Sequence, residues 1–248
     1  MHGLIAATGA ATKRFDDLAA AMNAGSADSF AEVTMPSAQV RLGIAGAGAV
    51  AASSAILNNR AAAVLGSSVH TVGGGVAAEM LAADAAVPGS MLDRRGEDLV
   101  ALVADEDAGS LTIGAAPGNH RLFVADVDGG VLVATHLAPL AAALGSDLAV
   151  DRSYEDFLLG FGFLPDGRTV YDRIRILAAG EVRTVPDGPV RAIEPAAVDL
   201  PDVDLDDPAA VSGALHDVFM RALEQQAGTQ TRHAVLLGGF DSALVAAA

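Results

Sequence analysis

Short runs in which apolar residues are continuous, or alternate with polar ones, recur through the first two thirds of the chain. Val40 to Ile44, Ala61 to Val64, Ser110 to Ile113, Leu122 to Ala125 and Val131 to Ala134 are each bounded by turn-forming residues, which predicts strands. Asp126-Val-Asp-Gly-Gly130 between the last two predicts a hairpin connection. A longer period marks Phe15 to Asn23, Val76 to Ala83 and Ser153 to Leu159 as helices. Strands grouped with strands, with helices between the groups, predict an α+β layered domain rather than a parallel βαβ chain.

The pattern breaks between Val185 and Pro208. Five of the ten prolines fall there, beside seven acids from Asp187 to Asp207. Proline removes backbone donors and like charges repel, so this stretch is expected to be an extended, solvated linker. It divides the chain into a domain over 1–185, a linker over 186–208 and the opening of a second domain over 209–248. Past it, Asp207 can cap a helix and Pro208 suits the first turn, where its missing N–H costs nothing. Val211, Leu215, Phe219 and Leu223 then form one apolar stripe at helical spacing, and Gly228 ends it. His233 to Gly239 reads as a buried strand entering a glycine turn, and Phe240 to Ala246 as the first turns of another helix.

Composition narrows the chemistry. Of 248 residues 52% are hydrophobic and only 4% aromatic, with no Trp, so the core must be built from Ala, Val and Leu. Acids outnumber bases 31 to 15, a net charge of −16, which argues against a nucleic-acid backbone as partner. With no cysteine there is no disulfide, no thiolate zinc site, no cysteine-ligated cluster and no thiol nucleophile. Lys13 is the only lysine and lies in no Walker-type loop, and for the same reason Schiff-base chemistry has no support. The acidic, arginine-rich balance suits a salt-adapted or a GC-biased source. Met1 to Arg14 lacks the basic, then apolar, pattern of a targeting segment, and Leu42 to Asn59 and Ala61 to Ala78 are too rich in Ala, Gly, Ser and Asn to span a membrane. A soluble cytoplasmic protein with no membrane partner is expected.

Three motifs are candidates for chemistry. Gly46-Ala-Gly48-Ala-Val-Ala51 follows a strand as a dinucleotide fingerprint does, but the next apolar run ends in Leu65-Gly66-Ser67 without the ribose-binding acid. His2, His70, His120, His136, His216 and His233 show no close metal-binding spacing, so surface or locally bonded roles are expected. No serine sits in a Gly-x-Ser-x-Gly elbow. Leu237-Gly-Gly-Phe-Asp-Ser242 places a double glycine and Asp-Ser at a helix start. Glycines there let backbone N–H groups approach a phosphate, and the helix dipole favours its charge. Asp241 suits such a site only by holding Mg²⁺. The same residues also make a tight strand–helix turn with an Asp-Ser cap, and the two readings weigh evenly.

Val235-Leu-Leu-Gly-Gly-Phe-Asp-Ser-Ala-Leu-Val-Ala246 resembles the pyrophosphate-loop motif, Ser-Gly-Gly-x-Asp-Ser, of asparagine synthetase-type ATP-dependent ligases. The resemblance extends to Tyr154 through Tyr171, to Ile174 through Glu181, and to Arg121-Leu-Phe-Val-Ala-Asp126 with Val131 to Ala134, covering about Ser110 to Ala248. It implies that the first domain is an Ntn-hydrolase-like αββα sandwich and the second an α/β synthetase domain. It further implies ATP and Mg²⁺ as cofactors, with Gly238, Gly239 and Ser242 on the pyrophosphate and Asp241 on the metal. The substrate would be a small-molecule carboxylate, adenylated and then attacked by ammonia or an amine.

Departures from the family pattern qualify this. Glutamine-using members carry a cysteine after the initiator methionine, whereas this chain has His2, and imidazole does not replace that thiolate. Arg41 matches the family's glutamine-carboxylate arginine, and the oxyanion-hole Asn-Gly becomes Leu65-Gly66. Arg41 and Gly66 would thus mark a vestigial glutamine site without glutaminase activity, as in β-lactam synthetases. Leu237 replaces the motif's first serine, a loss of about 1.5–3 kcal/mol in phosphate binding. The family's synthetase domain runs far beyond this loop. The expectation is therefore the N-terminal part of an asparagine synthase-type ligase, completed by a partner chain. The alternative is a non-catalytic interaction or scaffold domain, or a truncated remnant.

Overall fold

A computed structural model describes residues 3–24, 29–47, 52–66, 99–116, 120–192 apart from 128, 166, 187 and 189, and 203–227. The first strand, β1 (Gly3–Thr8), is buried along its whole length. Its neighbours in sequence are a 3₁₀ turn (Gly9–Arg14), helix α1 (Phe15–Asn23), and strands β2 (Ser29–Met35), β3 (Val40–Ala47), β4 (Ala52–Leu57) and β5 (Arg60–Gly66). Then follow β6 (Leu99–Asp105), β7 (Ser110–Ala115), β8 (Phe123–Val127), β9 (Gly130–Ala134), α2 (Leu137–Leu144) and α3 (Glu155–Phe161). Strands β10 (Ile174–Ile176), β11 (Glu181–Val185) and β12 (Val190–Ala192) and helix α4 (Pro208–Ala227) come after these.

The strands form two six-stranded sheets, in the orders β10-β8-β9-β1-β3-β2 and β12-β11-β7-β6-β5-β4. Every pairing is antiparallel. The α+β reading holds, and no βαβ unit is present among the described residues. Gly46 lies inside β3, and β3 is followed in the described chain by another strand, β4. That arrangement is the wrong context for a dinucleotide fingerprint, which needs a helix after its strand.

Alternation along the strands sorts side chains into separate cores. Leu4, Ala6, Leu42 and Ile44 of the first sheet pack against Ala63, Leu65, Val100, Leu102, Leu111 and Ile113 of the second. On the other face of the first sheet, Ile5 and Ala7 meet Phe15, Leu18 and Met22 of α1 and Leu140 and Leu144 of α2. The far face of the second sheet is buried as well, at Ala62, Val64, Ala101 and Val103. With both faces covered, these strands read as unbroken apolar runs. Gly43 of β3 is small for a packing reason: a Cβ there would collide with the ring of Phe30 and with Ile5.

Two expectations need adjusting. Residues 186–208 contain an element after all, since β12 pairs with β11 through Val190 opposite Arg183. An edge strand needs only one neighbour, and all three β12 residues are exposed, so local charge does not prevent it. Accordingly the first compact unit runs from Met1 to Ala196 and the second from Ala197 to Ala248. In the second, Asp207 caps α4, its side-chain oxygen accepting the Ala209 N–H at 2.9 Å. Gly228, the helix expected over Val76 to Ala83 and the strand and turn from His233 lie outside the described residues. No helix among the described residues is long and apolar enough to cross a membrane.

Candidate functional site

β1 runs through the interior of its sheet, flanked by β9 and β3, and starts at Gly3. His2, proposed above at the nucleophile position, lies outside the described residues. A Cβ on Gly3 would collide with Met22 Cε and Thr135 Oγ1 and lie 3.0 Å from His136 Nδ1, so these three groups crowd the strand's first residue. Thr135 ties the end of β9 to β1: its N–H donates to Leu4 O at 3.0 Å, and its hydroxyl accepts the Leu4 N–H at 3.1 Å. The hydroxyl has one proton to give. Leu4 O lies 3.5 Å away and His136 Nδ1 3.0 Å away, and the imidazole tautomer sets which atom of the shorter contact donates.

His136 stands one residue before α2 in extended backbone and makes no side-chain cap bond, which leaves its ring to Thr135. Burial pushes the imidazole below its usual 6.5, and the positive charges of the chain's amino terminus and His120 add to that. The ring is therefore a neutral, half-buried proton acceptor beside the start of β1. Thr135 escaped the sequence reading because its partner Leu4 lies 131 residues away in sequence. The nearest signal was His136 itself, expected to be locally bonded, which it is.

The structure does not bring Arg41 to that place. Gly3 pairs with Ala45 and Ala7 with Arg41, so Arg41 sits four residues down β3, about 13 Å along the strand. Its guanidinium contacts Asp16 at 2.7 Å and Glu32 at 2.8 Å, and lies 4.2 Å from the centre of the Phe15 ring. The hydrogen bond it donates to the Glu32 carboxylate leads the causes that raise its pKa above the ordinary arginine value. Arg41 is thus part of an intramolecular ion-pair cluster with Asp16 and Glu32. Gly66 closes β5 in the other sheet, paired with Leu99. Gly238, Gly239, Asp241 and Ser242 lie outside the described residues.

Clefts lie at the far end of β1 among the described residues. Around the 3₁₀ turn lie a cleft of about 460 Å³ reaching Gln39, Asp126 and Arg183, one of about 360 Å³ lined by Lys13, Arg14 and Arg173, and one of about 370 Å³ reaching Thr34 and Arg41. No group of three or more His, Asp or Glu side chains able to hold a metal ion is present among the described residues. No protein-family model matches the chain, and no curated protein matches it.

Proposed function

We propose that this chain belongs to an asparagine synthetase-like, ATP-dependent amide-forming ligase that lacks glutaminase activity. In this reading residues 1–185 form an Ntn-hydrolase-like αββα sandwich, and residues from 209 onward open the nucleotide-binding synthetase domain. The observation that carries it is the pair of packed antiparallel six-stranded sheets with a central first strand beginning at Gly3. Support also comes from the Gly-Gly-Phe-Asp-Ser run of 238–242, which follows the acidic stretch and α4. The commitment of Arg41 to Asp16 and Glu32 supports the absence of a glutamine site.

ATP would supply carboxylate activation by adenylation, with pyrophosphate as leaving group. The chain's own contribution is the Gly238 and Gly239 backbone N–H groups and the Ser242 hydroxyl around the pyrophosphate, with the Asp241 carboxylate holding Mg²⁺. Ammonia or a substrate amine would then attack the acyl-adenylate, forming the amide and releasing AMP, with the cytoplasm as the proposed compartment.

Calorimetric titration of Mg-ATP into the full chain tests this. Saturable binding that is lost in Asp241→Asn is expected, together with no glutamate release from glutamine. Glutamate release would overturn the reading of His2. Absence of heat at about millimolar nucleotide would leave the rival, a non-catalytic interaction module. One observation favours that rival: Phe161 and Phe163 are exposed, and with Phe157 they form a cluster with ring centres 4.6–6.4 Å apart.

A further inference from the structure

We propose that the cleft lined by Lys13, Arg14 and Arg173 binds a small dianionic oxyanion, of the phosphate monoester or dicarboxylate class. The site owes nothing to the ligase reading, since it lies in the first unit and uses none of the residues 237–242. Two elements form it. The 3₁₀ turn that joins β1 to α1 ends in Lys13 and Arg14. Arg173 stands at the turn just before β10.

Arg14 is held as a fixed wall. One of its guanidinium nitrogens donates to Ala143 O at 3.0 Å, at the end of α2, and the other pairs with Asp147. The remaining two cations have no such commitment. Among the described residues no carboxylate lies within ion-pair distance of Lys13 or Arg173, and Arg173 makes only a 3.4 Å contact with the Asp126 carbonyl oxygen. Three acids of the same unit have partners of their own. The Asp126 carboxylate holds Arg183 at 2.7 Å, Asp16 holds Arg41 at 2.7 Å, and Asp172 accepts the Ala149 N–H at 3.2 Å.

Three cations and one acid therefore line a cleft of about 360 Å³, a net local charge of +2 on a chain of −16. The volume is at the small end of ligand sites, and Ala10, Ala11 and Val127 complete its lining. Guanidinium forks match the oxygens of phosphate and carboxylate, and a dianion matches the charge. The field of the whole molecule repels anions, so affinity here comes from contact geometry rather than from steering.

Titration of inorganic phosphate into the full chain at low ionic strength tests the site, with succinate and acetate in parallel. Saturable phosphate or succinate binding is expected, with acetate much weaker. Tighter phosphate assigns the phosphoryl class, and tighter succinate the dicarboxylate class. Lys13→Gln and Arg173→Gln should each weaken binding about tenfold, the loss of one charged contact, while Arg152→Gln leaves it unchanged. In the unaltered chain, amide NMR shifts on titration should centre on Lys13, Arg14 and Arg173, which keeps the test valid even for a variant that folds poorly. No saturation by either dianion at about 10 mM, binding indifferent to both substitutions, or shifts centred elsewhere would overturn the proposal.

Discussion

His136 concentrates what single residues contribute. It is held neutral by burial, beside a threonine hydroxyl that already serves the backbone of Leu4. Its folded-state pKa is depressed below the usual 6.5, so the unfolded chain takes up this proton first as pH falls. The stability it contributes is complete above the unfolded value and is lost as pH drops through that value toward the folded one. Thermal melts between about pH 7.5 and 5.5 should show the unaltered protein losing more stability than His136→Gln, with the two curves parallel above that window. Curves parallel throughout would refute the protonation account. None of this was legible in sequence, where His136 was one of six histidines without a distinguishing neighbour. Burial and long-range partners separate it, and neither is written locally. The partners of Arg41 were equally hidden, since strand register sets it beside Ala7 and Asp16 and Glu32 reach it from other elements.

At the scale of elements, legibility followed the turn residues. Strands β3, β5, β7, β8 and β9 and helix α1 lie where short runs were bounded by Gly, Asn or Asp. β6, Leu-Val-Ala-Leu-Val-Ala-Asp, is an unbroken apolar run, and periodicity alone cannot separate a doubly buried strand from a buried helix. α2 went unpredicted, and it contains Pro139. That proline falls in the first turn, where a backbone N–H has no helical partner anyway. The junction of α1 with the first sheet is where these elements depend most on one side chain. Phe15 is fully buried under the Arg41 guanidinium, with the Phe30 ring 6.5 Å away. Phe15→Ala should cost about 3–5 kcal/mol in chemical denaturation, a cavity beneath a helix start that cannot collapse. A loss below about 1 kcal/mol would mean that α1 is docked by its other residues, Leu18 and Met22.

For the molecule as a whole, charge is the term the fold leaves least compensated. The chain carries −16, and the ion pairs described sit at partly exposed positions where each is worth little. Screening therefore removes more repulsion than attraction. The melting temperature should rise by several degrees between about 0.05 and 1 M sodium chloride, and a flat or falling response would contradict this balance. Composition made this visible at once, because net charge needs no structure. The two-unit organisation was visible in outline, through the proline and acid run, while the strand inside that run was not.

The burial of β1 on both sides has a further consequence. Leu4 and Ala6 face one core and Ile5 and Ala7 the other, and the two pairs are nearly interchangeable in size and greasiness. A slip of one position along its neighbours would thus cost little hydrophobic energy, so apolar content alone cannot tell the chain where to stop. Two buried hydroxyls supply the missing address: Thr135 Oγ1 receives the Leu4 N–H at one end of the strand, and Thr8 Oγ1 receives the Val131 N–H at the other. In a core made of near-equivalent small side chains, a pair of threonines acts as the ruler that gives the alignment a single solution.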